Sequence, residues 1–358
     1  MPPPLKGIQL SNYRNFINKK EIFNFDHTLF KGKNAVGKTN LLESISFLSP
    51  GTGFRKDVIQ NFIFKKQENL ETSMTFDFIH EDLENHLTII LSNKDERWTK
   101  QYFLNDKKIQ QQKLLDIFQL FWLTETDKVY FIKDAQYQRN TINRIICYFD
   151  SKLFGFLSKY TILRREKRRI LQSSQDISWL VSLDKQLIDI GRAIIEIKKK
   201  FLSEYQNFLS SNNKLFFDFE IKPSFGLIET ESFLEKFQKD LSDENQWPND
   251  HKLQSQHDPK KSVFEISHNQ KNISQLSSAQ SKMLILSLLL SCAKFLNRNK
   301  ITIFLIDEIF DNFDMMNVNK VIQYCAENKF QTFFSTTDNF TLQGNIAVSY
   351  THLRAHET

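Results

Sequence analysis

The N-terminal third of the chain alternates apolar and polar residues in the way that half-buried β-strands do. This pattern predicts neighbouring antiparallel strands at 74–80 and 86–92 and a hairpin at 101–109. From about residue 150 the apolar spacing changes to that of amphipathic helices. Two long antiparallel helices are therefore expected at 151–172 and 179–210.

The C-terminal part of the chain returns to alternating strands and helices. A polar segment with two prolines, 241–261, precedes it and predicts a surface loop at a domain boundary. Beyond that segment we expect, in order, a helix at 279–296, a strand at 302–307, a helix at 315–327 and a strand at 331–336. This order is typical of an α/β fold with a parallel sheet.

Composition and charge exclude several classes of protein. With 9 glycines and 7 prolines among 358 residues, the chain is neither loop-rich nor collagen-like. Its three cysteines are far apart and form no CxxC pair, so we expect a reducing cytosol and neither a disulfide framework nor a zinc site. The N-terminus lacks a signal-peptide pattern, and the most apolar run, 283–293, is too short to cross a bilayer and predicts a buried helix. A net charge of +6 permits an anionic partner without establishing one.

The segment KGKNAVGKTN, residues 31–40, has the spacing of a phosphate-binding loop. A strand-like segment, 22–30, precedes it and a helical one, 39–48, follows, so the first N–H groups of that helix would point at a phosphate. Lys38 would reach the β- and γ-phosphates of a nucleotide, and the Thr39 hydroxyl would hold Mg²⁺. The nucleotide-binding residues predicted from this loop are Gly32, Lys33, Asn34, Ala35, Val36, Gly37, Lys38, Thr39 and Asn40.

Two carboxylates follow an apolar run in the second half of the chain. The run ITIFLIDE, 301–308, predicts a buried strand that brings Asp307 and Glu308 to its C-terminal end, where open α/β sheets bind ligands. Beside a nucleotide loop, Asp307 would hold Mg²⁺, and Glu308 would orient the attacking water and take its proton. Glu308 and Lys38 are therefore the predicted catalytic residues, and Thr39 and Asp307 are the predicted metal ligands.

A third motif, QLSSAQSKMLILSLLL at 275–290, opens a long apolar helix. Ser277 is a favourable residue for the start of this helix, and helix N-termini form anion sites. Taken alone, the motif favours an ordinary capped helix that feeds the core.

In this order the motifs resemble the head of the ABC-type ATPases, its SMC-like branch, and within that branch the RecF family of bacterial recombination-mediator proteins. The resemblance covers about residues 5–346, and the short helical insertion favours RecF over the long SMC proteins. The segments that carry it are NYRNF (12–16), GKNAVGKTNLLE (32–43), GTGFR (51–55), LSSAQSK (276–282), LIDEIFDNFD (305–314) and FFSTTD (333–338).

The resemblance implies an α/β fold, an ABC-type P-loop ATPase head built from both chain halves with a helical insertion lobe. The N-terminal half of the head is expected at 1–149 and the helical lobe at 150–214. The C-terminal half, with the signature motif and the Walker B carboxylates, is expected at 215–349. The tail, 350–358, continues no pattern and resembles a translated cloning or sequencing adapter, so we set it apart from the fold.

The same resemblance implies an ATP-dependent DNA-binding protein of recombinational and replication-gap repair and of the SOS response. ATP with Mg²⁺ would close a homodimer on duplex or gapped DNA, and slow hydrolysis would release it. In that dimer Ser277 and Gln280 of one chain would cover the nucleotide held by Lys38 of the other. RecR- and RecO-type mediator proteins are the implied protein partners, and the implied location is the cytoplasm without a membrane partner.

This chain departs from the family pattern at several positions. Ala35 replaces the usual second glycine of the loop and Ala279 replaces the signature glycine, and each adds a methyl group where backbone and phosphate approach closely. The segment 255–262 resembles a family Gly-Pro-His-Arg-Asp-Asp stretch in which His257 is kept but the arginine and the aspartates are not. A divergent member with slower turnover is therefore expected.

DNA contacts are expected on a basic helical segment, 159–171, in which six cationic side chains accompany one glutamate. Helical spacing stacks its arginines in adjacent rows beside an apolar stripe. Such rows suit phosphate contacts, which confer affinity without base specificity, although a solvated basic face has the same pattern. The predicted DNA-binding residues are Arg164, Arg165, Arg168 and Arg169, with Lys198, Lys199 and Lys200 as a second cluster.

Two other functions stay open at this point. In the first, the chain is an ATP-binding DNA clamp whose two alanines have silenced turnover, although the intact loop lysine and carboxylates argue against it. In the second, the chain is the ATPase subunit of an ABC transporter, although no membrane-coupling partner is visible. A GTPase is not expected, because SNKDE at 92–96 lies in the wrong place for a guanine-reading loop.

Overall fold

The computed structural model separates a unit rich in strands from a largely helical unit. The first consists of residues 1–128 and 297–358, and the second of residues 129–296. Within them the structure describes residues 3–33, 35–55, 57–64, 71–94, 97–173, 177–211, 220–223, 230–246, 257–261, 264–296, 299–308, 315–336 and 348–352. The domain bounds expected at 149/150 and 214/215 remain a proposal.

The elements follow one another in the order that the sequence pattern predicts, with further helices added. Up to residue 149 they are β1 (Leu5–Tyr13), β2 (Phe16–Ile22), β3 (His27–Lys31), α1 (Lys38–Ser46), β4 (Glu71–His80), β5 (Leu83–Lys94), β6 (Arg97–Leu104), β7 (Lys107–Ile109), α2 (Leu114–Ile117), β8 (Phe118–Leu123), α3 (Glu125–Lys133) and α4 (Ala135–Phe149). After it they are α5 (Lys152–Ser173), α6 (Ile177–Ser211), β9 (Glu220–Pro223), α7 (Thr230–Gln246), β10 (Phe264–His268), β11 (Lys271–Asn272), α8 (Ser278–Leu296), β12 (Ile301–Ile306), α9 (Met315–Glu327), β13 (Gln331–Thr336) and β14 (Val348–His352).

Five parallel strands in the first unit form the sheet that carries the phosphate loop. Their order is β14-β3-β13-β12-β8, so strands from both ends of the chain pair with each other in one sheet. All residues of β3, β8, β12 and β13 are buried, as in parallel strands that are covered on both faces. Strand β14 includes Tyr350, Thr351 and His352, so the start of the tail that the sequence set apart belongs to this sheet.

The second sheet of this unit is antiparallel, in the order β2-β1-β4-β5-β6-β7. Strand β4 buries alternate residues, including Met74, Phe76 and Phe78, so one face of this sheet lines the core. The predicted pairing of 74–80 with 86–92 is confirmed by the β4–β5 ladder. The predicted hairpin at 101–109 is confirmed by β6 and β7.

A side-chain amide joins the two sheets of the first unit. The Gln331 amide, at the start of β13, accepts a hydrogen bond from the Leu5 backbone N–H (2.7 Å) and donates one to the Leu5 carbonyl (2.8 Å). The Gln331 side chain therefore pairs with the Leu5 backbone in the way that a neighbouring strand would. Both partners are buried, so their polar groups satisfy one another where water has no access.

In the helical unit the two predicted long helices are confirmed, and the prediction of a loop at 241–261 is partly wrong. Helices α5 and α6 lie at the predicted positions and pack against each other. The prediction of loop from residue 241 is wrong for 241–246, because α7 extends to Gln246. Leu241 is buried on the same face of α7 as Phe233 and Phe237, and this packing keeps the polar end of the segment helical.

The predicted buried helix is α8. In the described part of the chain it is long and apolar enough to cross a membrane, but 72% of its apolar window is buried inside the protein. The three cysteines, Cys147, Cys292 and Cys325, are free and buried. They pack as small core residues.

Helix α1 is held in place by a carboxylate that has no exposed surface. Glu43 accepts hydrogen bonds from Arg14 through both oxygens (2.9 Å each) and from the Tyr13 hydroxyl (3.0 Å). Arg14 also donates to Asp57 (2.9 Å) and lies over the Phe62 ring. Burial and the nearby Glu43 charge raise the pKa of Tyr13, so its hydroxyl stays a donor. A buried charge that is satisfied in this way ties α1 to the end of β1.

We expect Arg14→Ala to lower the free energy of unfolding of this unit by about 3–5 kcal/mol, because the Glu43 charge would be buried without its partner. Lys6→Ala is the matched control. It removes an ion pair with Glu84 in which the glutamate side chain is 73% exposed, and we expect a loss below about 1 kcal/mol. Urea unfolding followed by circular dichroism measures both changes. Equal losses of unfolding free energy in the two variants would contradict the stabilising role of the buried Arg14–Glu43 pair.

Candidate functional site: a phosphate loop beside two carboxylates

The loop between β3 and α1 has the backbone geometry that close approach to an anion requires. Gly37 stands at the start of α1 with φ +105°, and Ala35 has φ +67°. A Cβ at Gly37 would lie 2.7 Å from Phe16 Cζ and 2.8 Å from Asn15 Nδ2, so glycine is needed there for both conformation and space. Ala35 keeps a left-handed conformation at a cost of about 1 kcal/mol, which a glycine at this position would avoid. Asn34 lies outside the described residues.

The Lys38 side chain lies along the inside of the loop. Its ammonium donates to the carbonyl oxygens of Gly32 (2.6 Å) and Lys33 (2.9 Å), and the residue is only 7% exposed. The loop carbonyls therefore hold a positive charge at the place where the N–H groups of α1 begin. A cation beside a helix N-terminus is the arrangement that cradles phosphate groups.

The carboxylates predicted from the second half of the chain reach this loop. The Asp307 carboxylate, which follows β12 directly, accepts a hydrogen bond from Thr39 Oγ1 (3.3 Å) and another from the hydroxyl of Ser335 at the end of β13. Glu308 has φ +50°, and its N–H donates to Ser335 Oγ (2.9 Å). The ends of β12 and β13 thus bring Asp307 and the Glu308 backbone together at Ser335, and Asp307 reaches Thr39 at the start of α1.

The oxygens of Thr39 and Asp307 suit a magnesium ion. Mg²⁺ takes oxygen ligands at about 2.1 Å in octahedral geometry, so neighbouring ligands lie about 3 Å apart. The 3.3 Å between Thr39 Oγ1 and Asp307 Oδ1 fits this spacing. These two residues would hold the ion, with the remaining positions left to water and phosphate oxygens.

Side chains from two other segments support the loop. Asn15 donates to the Val36 carbonyl (3.4 Å) and accepts a hydrogen bond from the Asn40 amide (2.7 Å). The Asn40 amide oxygen in turn accepts from Arg55 (2.7 Å). Asn40, predicted as a binding residue, therefore has both ends of its side chain on protein partners. Asn15, Arg55 and Ser335 were not predicted as site residues, although they lie in the segments NYRNF, GTGFR and FFSTTD.

The signature motif stands at the exposed start of α8 in the helical unit. Gln280 N–H donates to Ser277 Oγ (3.2 Å), and Ser277 N–H donates to the Gln280 side chain (3.0 Å). This reciprocal pair is a capping box, which confirms Ser277 as a helix-starting residue. Ser277, Ala279 and Gln280 are all exposed, so the beginning of α8 is open to a partner.

Comparison with known proteins decides the family. The family model of the RecF/RecN/SMC N terminal domain matches residues 4–355. The chain belongs to this family. A DNA replication and repair protein RecF of Rickettsia massiliae (strain Mtu5) is 26% identical over 357 residues, which cover 93% of this chain and 94% of that protein. Another of Rickettsia conorii (strain ATCC VR-613 / Malish 7) is 25% identical over 370 residues, covering 96% of this chain and 98% of that protein.

Solved RecF structures share the fold. A structure of the recombination mediator protein RecF-ATPrS in the RecFOR pathway has a TM-score of 0.79 at 21% identity, over 96% of this chain and 95% of that chain. A RecF-ATP structure from the same pathway has a TM-score of 0.78 at 23% identity, over 96% and 94%. The predicted resemblance to RecF and the ABC-type ATPase head fold are thereby confirmed.

The basic residues predicted on α5 of this RecF relative fall into two groups. Arg165, Arg168 and Arg169 are exposed, whereas Arg164 forms a double hydrogen bond with Glu244 (2.8 and 2.9 Å). Lys167, counted among the cations of this face, is buried and donates to Asp184. It follows Tyr160 and Leu163 on the inner stripe, so helical spacing turns it into the core.

The second predicted cluster, three consecutive lysines, is not a single surface. Lys198 is buried and donates to the Pro259 carbonyl (3.0 Å). Burial lowers the pKa of Lys198 to about 7, a shift that the neighbouring Asp258 opposes. Lys199 donates to Thr230 Oγ1 (3.0 Å), and only Lys200 is exposed. Consecutive residues of a helix point in different directions, which separates the three charges.

Gly37→Ala should weaken ATP binding at least tenfold, because the new methyl group displaces the loop and with it one or more N–H bonds to phosphate. Gly51→Ala is the matched control: Gly51 also has a positive φ, +128°, but its Cβ would meet no atom within 4 Å. Titration with a fluorescent ATP analogue measures both affinities. A loss of the same size in Gly51→Ala would show that close approach at Gly37 is unimportant.

Proposed function

We propose that this chain is a RecF-type ATPase of DNA repair. It binds ATP and Mg²⁺ in the loop of residues 31–40, closes as a homodimer on duplex or gapped DNA, and opens after slow hydrolysis. The observation that carries the proposal is the meeting of Lys38, Thr39 and Asp307 at one sheet edge, at the distances given above. Full-length similarity to RecF proteins, including one solved with ATP, supports it.

The site residues have separate tasks in this proposal. Lys38 exchanges the carbonyls of its own loop for the β- and γ-phosphate oxygens of ATP. Thr39 and Asp307 hold Mg²⁺, which neutralises charge on the phosphates when bound. Glu308 orients the attacking water and takes its proton, while the bond from its N–H to Ser335 keeps the backbone at this residue in place.

The signature motif contributes from a second chain. The N-terminus of α8, where Ser277 and Gln280 cap the helix, faces solvent and suits the γ-phosphate of a nucleotide held by the partner subunit. Two chains would therefore sandwich two nucleotides, and ATP would hold the dimer closed. RecR- and RecO-type proteins are the proposed partners, since solved RecF relatives belong to the RecFOR pathway, and the cytoplasm is the proposed location.

DNA is the proposed ligand of the exposed face of α5. Arg165, Arg168 and Arg169 lie on the exposed face of α5 and suit phosphate contacts without base reading. Arg164 contributes less directly, since Glu244 holds its guanidinium. Duplex affinity should therefore fall with rising salt.

Lys38→Ala should weaken ATP binding at least about 100-fold, because two charge-assisted contacts to phosphate are lost. Lys108→Ala is the matched control, since Lys108 is an exposed lysine of the same unit that lies on β7, outside the loop. Its affinity should stay within about threefold of the parent. Unchanged affinity in Lys38→Ala, measured with a fluorescent ATP analogue, would refute the assignment of the loop.

Glu308→Gln should slow phosphate release about 10²–10⁴-fold while ATP binding persists, because glutamine can touch the water but cannot take its proton. Unhydrolysed ATP should then hold a stable dimer, visible by light scattering with Mg²⁺. Adding Ala279→Gly should give dimerisation at least as tight, since it removes a methyl group at the signature. A strict monomer in both variants, with DNA present, would refute the dimer mechanism. A parent protein that already releases no phosphate would favour the ATP-binding clamp with silenced turnover.

A further inference from the structure

The helical unit contains a cavity that the ATP site does not use. Its volume is about 460 Å³. Helix α4, helix α5 and the turn 257–261 form its wall. Most of the side chains that line it are cationic, namely Arg139, Arg164, Arg165, Arg168, Lys260 and Lys261.

The wall of the cavity is strongly positive. It has six cationic side chains and a single carboxylate, that of Asp258. Two of the cations are tethered: Arg164 to Glu244, and Lys260 to Thr161 Oγ1 at 2.8 Å. The other four form no ion pair or side-chain hydrogen bond within the part of the chain that the structure describes, and they are Arg139, Arg165, Arg168 and Lys261.

The carboxylate does not cancel this charge. Asp258 is 8% exposed, and its Oδ1 accepts the backbone N–H of Lys260 (2.8 Å), which shapes the turn. The Asp258 carbonyl accepts the N–H of Lys261 (2.8 Å). Asp258 therefore acts mainly as a turn-forming residue, and its charge also offsets that of the buried Lys198 behind the wall.

The wall is held rigidly from behind. Lys198 donates to the Pro259 carbonyl, and a Cβ on Gly191 would lie 2.9 Å from Pro259 Cγ, so the turn is packed tightly on α6. The two hydrogen bonds from Arg164 to Glu244 fix its guanidinium. Cations held in place before a ligand arrives lose less conformational entropy on binding.

We propose that this cavity binds a phosphate monoester or a pyrophosphate group. Clustered arginines offer paired N–H donors that match phosphate oxygens, and Gln136 and Asn140 add neutral donors. A cavity of this volume holds a ligand of nucleotide size but not a double helix, so it accepts a small phosphate compound or the phosphorylated end of a strand. This inference does not require the ATP-driven cycle proposed above.

The first experiment titrates inorganic pyrophosphate into the Lys38→Ala protein by isothermal titration calorimetry, so that the nucleotide loop does not contribute. One pyrophosphate per chain should bind. Arg165→Ala combined with Arg168→Ala should weaken it at least about 100-fold, since each arginine supplies charge-assisted hydrogen bonds. Arg165→Lys combined with Arg168→Lys should bind pyrophosphate more tightly than the double alanine variant but less tightly than the parent. Lysine keeps the positive charge but lacks the paired N–H donors of arginine.

The matched control is Lys159→Ala, which removes an exposed cation from the same helix outside the cavity. It should change pyrophosphate affinity less than about twofold. Absence of saturable binding, or equal losses in Lys159→Ala and in the double arginine variant, would overturn the proposal. Arg165 and Arg168 are exposed and form no side-chain hydrogen bond or ion pair with the residues that the structure describes, so variants at these positions should fold. Circular dichroism, and ATP binding by the same variants with Lys38 retained, check that they do.

A second experiment identifies the source of the phosphate. Short duplexes with a 5′-phosphate or a 5′-hydroxyl are compared by fluorescence anisotropy. Tighter binding of the phosphorylated end that disappears in the double arginine variant supports the cavity and assigns it to strand ends. Equal binding of both ends, together with arginine-dependent pyrophosphate binding, supports the cavity and assigns it to a small phosphate compound. Failure of duplex binding itself would refute the DNA proposal and leave the pyrophosphate result standing.

Discussion

The carboxylate of Glu43 has no exposed surface, and the segments that shape the phosphate loop meet around it. Arg14 and Tyr13 from the end of β1 donate to it directly, and Arg55 lies 3.6 Å away. An unpaired charge at this depth would cost several kcal/mol, so these segments must be in place for the fold to be stable. The neighbours of these residues, Asn15 and Asn40, then hold the loop itself.

The contacts around Glu43 hold the phosphate loop, and the parallel sheet brings the second half of the site, Asp307, to that loop. Thr39 and Asp307 are separated by 268 residues, and no local interaction relates them. They meet because β13 lies between β3 and β12 with all three strands parallel, so that their carboxyl ends reach one edge. Ser335, at the end of β13, joins Asp307 to the Glu308 backbone. The site is thus a consequence of strand order.

The helical unit shows how burial divides a run of like charges. Helix α5 carries cations on both faces, but Lys167 lies in the core, where Asp184 accepts its hydrogen bond at 2.6 Å. Burial lowers the pKa of Lys167, and the Asp184 carboxylate opposes that shift. Arg165, Arg168 and Arg169 are presented outward, and Arg165 and Arg168 line a concave basic wall with the turn 257–261. Net charge along a helix therefore overstates the charge that a ligand meets.

Local chemistry determined much of this protein from its sequence. The glycine spacing around Lys38, the apolar run before Asp307 and the helix start at Ser277 each require only neighbouring residues, and each lies in the predicted element. The helices α3 and α4 and the helical segment 241–246 were not predicted. Asp134 caps α4 through hydrogen bonds from the N–H groups of Gln136 and Tyr137, a local signal that was overlooked, whereas the burial of Leu241 keeps 241–246 helical. Tertiary structure alone decided that Ser335 joins the Asp307 carboxylate to the Glu308 N–H, that Lys167 and Lys198 are buried, and that Arg165 and Lys260 line one cavity. Such contacts join residues far apart in the chain. The periodicity of one segment predicts its own helix or strand, but it does not predict which side chains of a distant segment will pack against it.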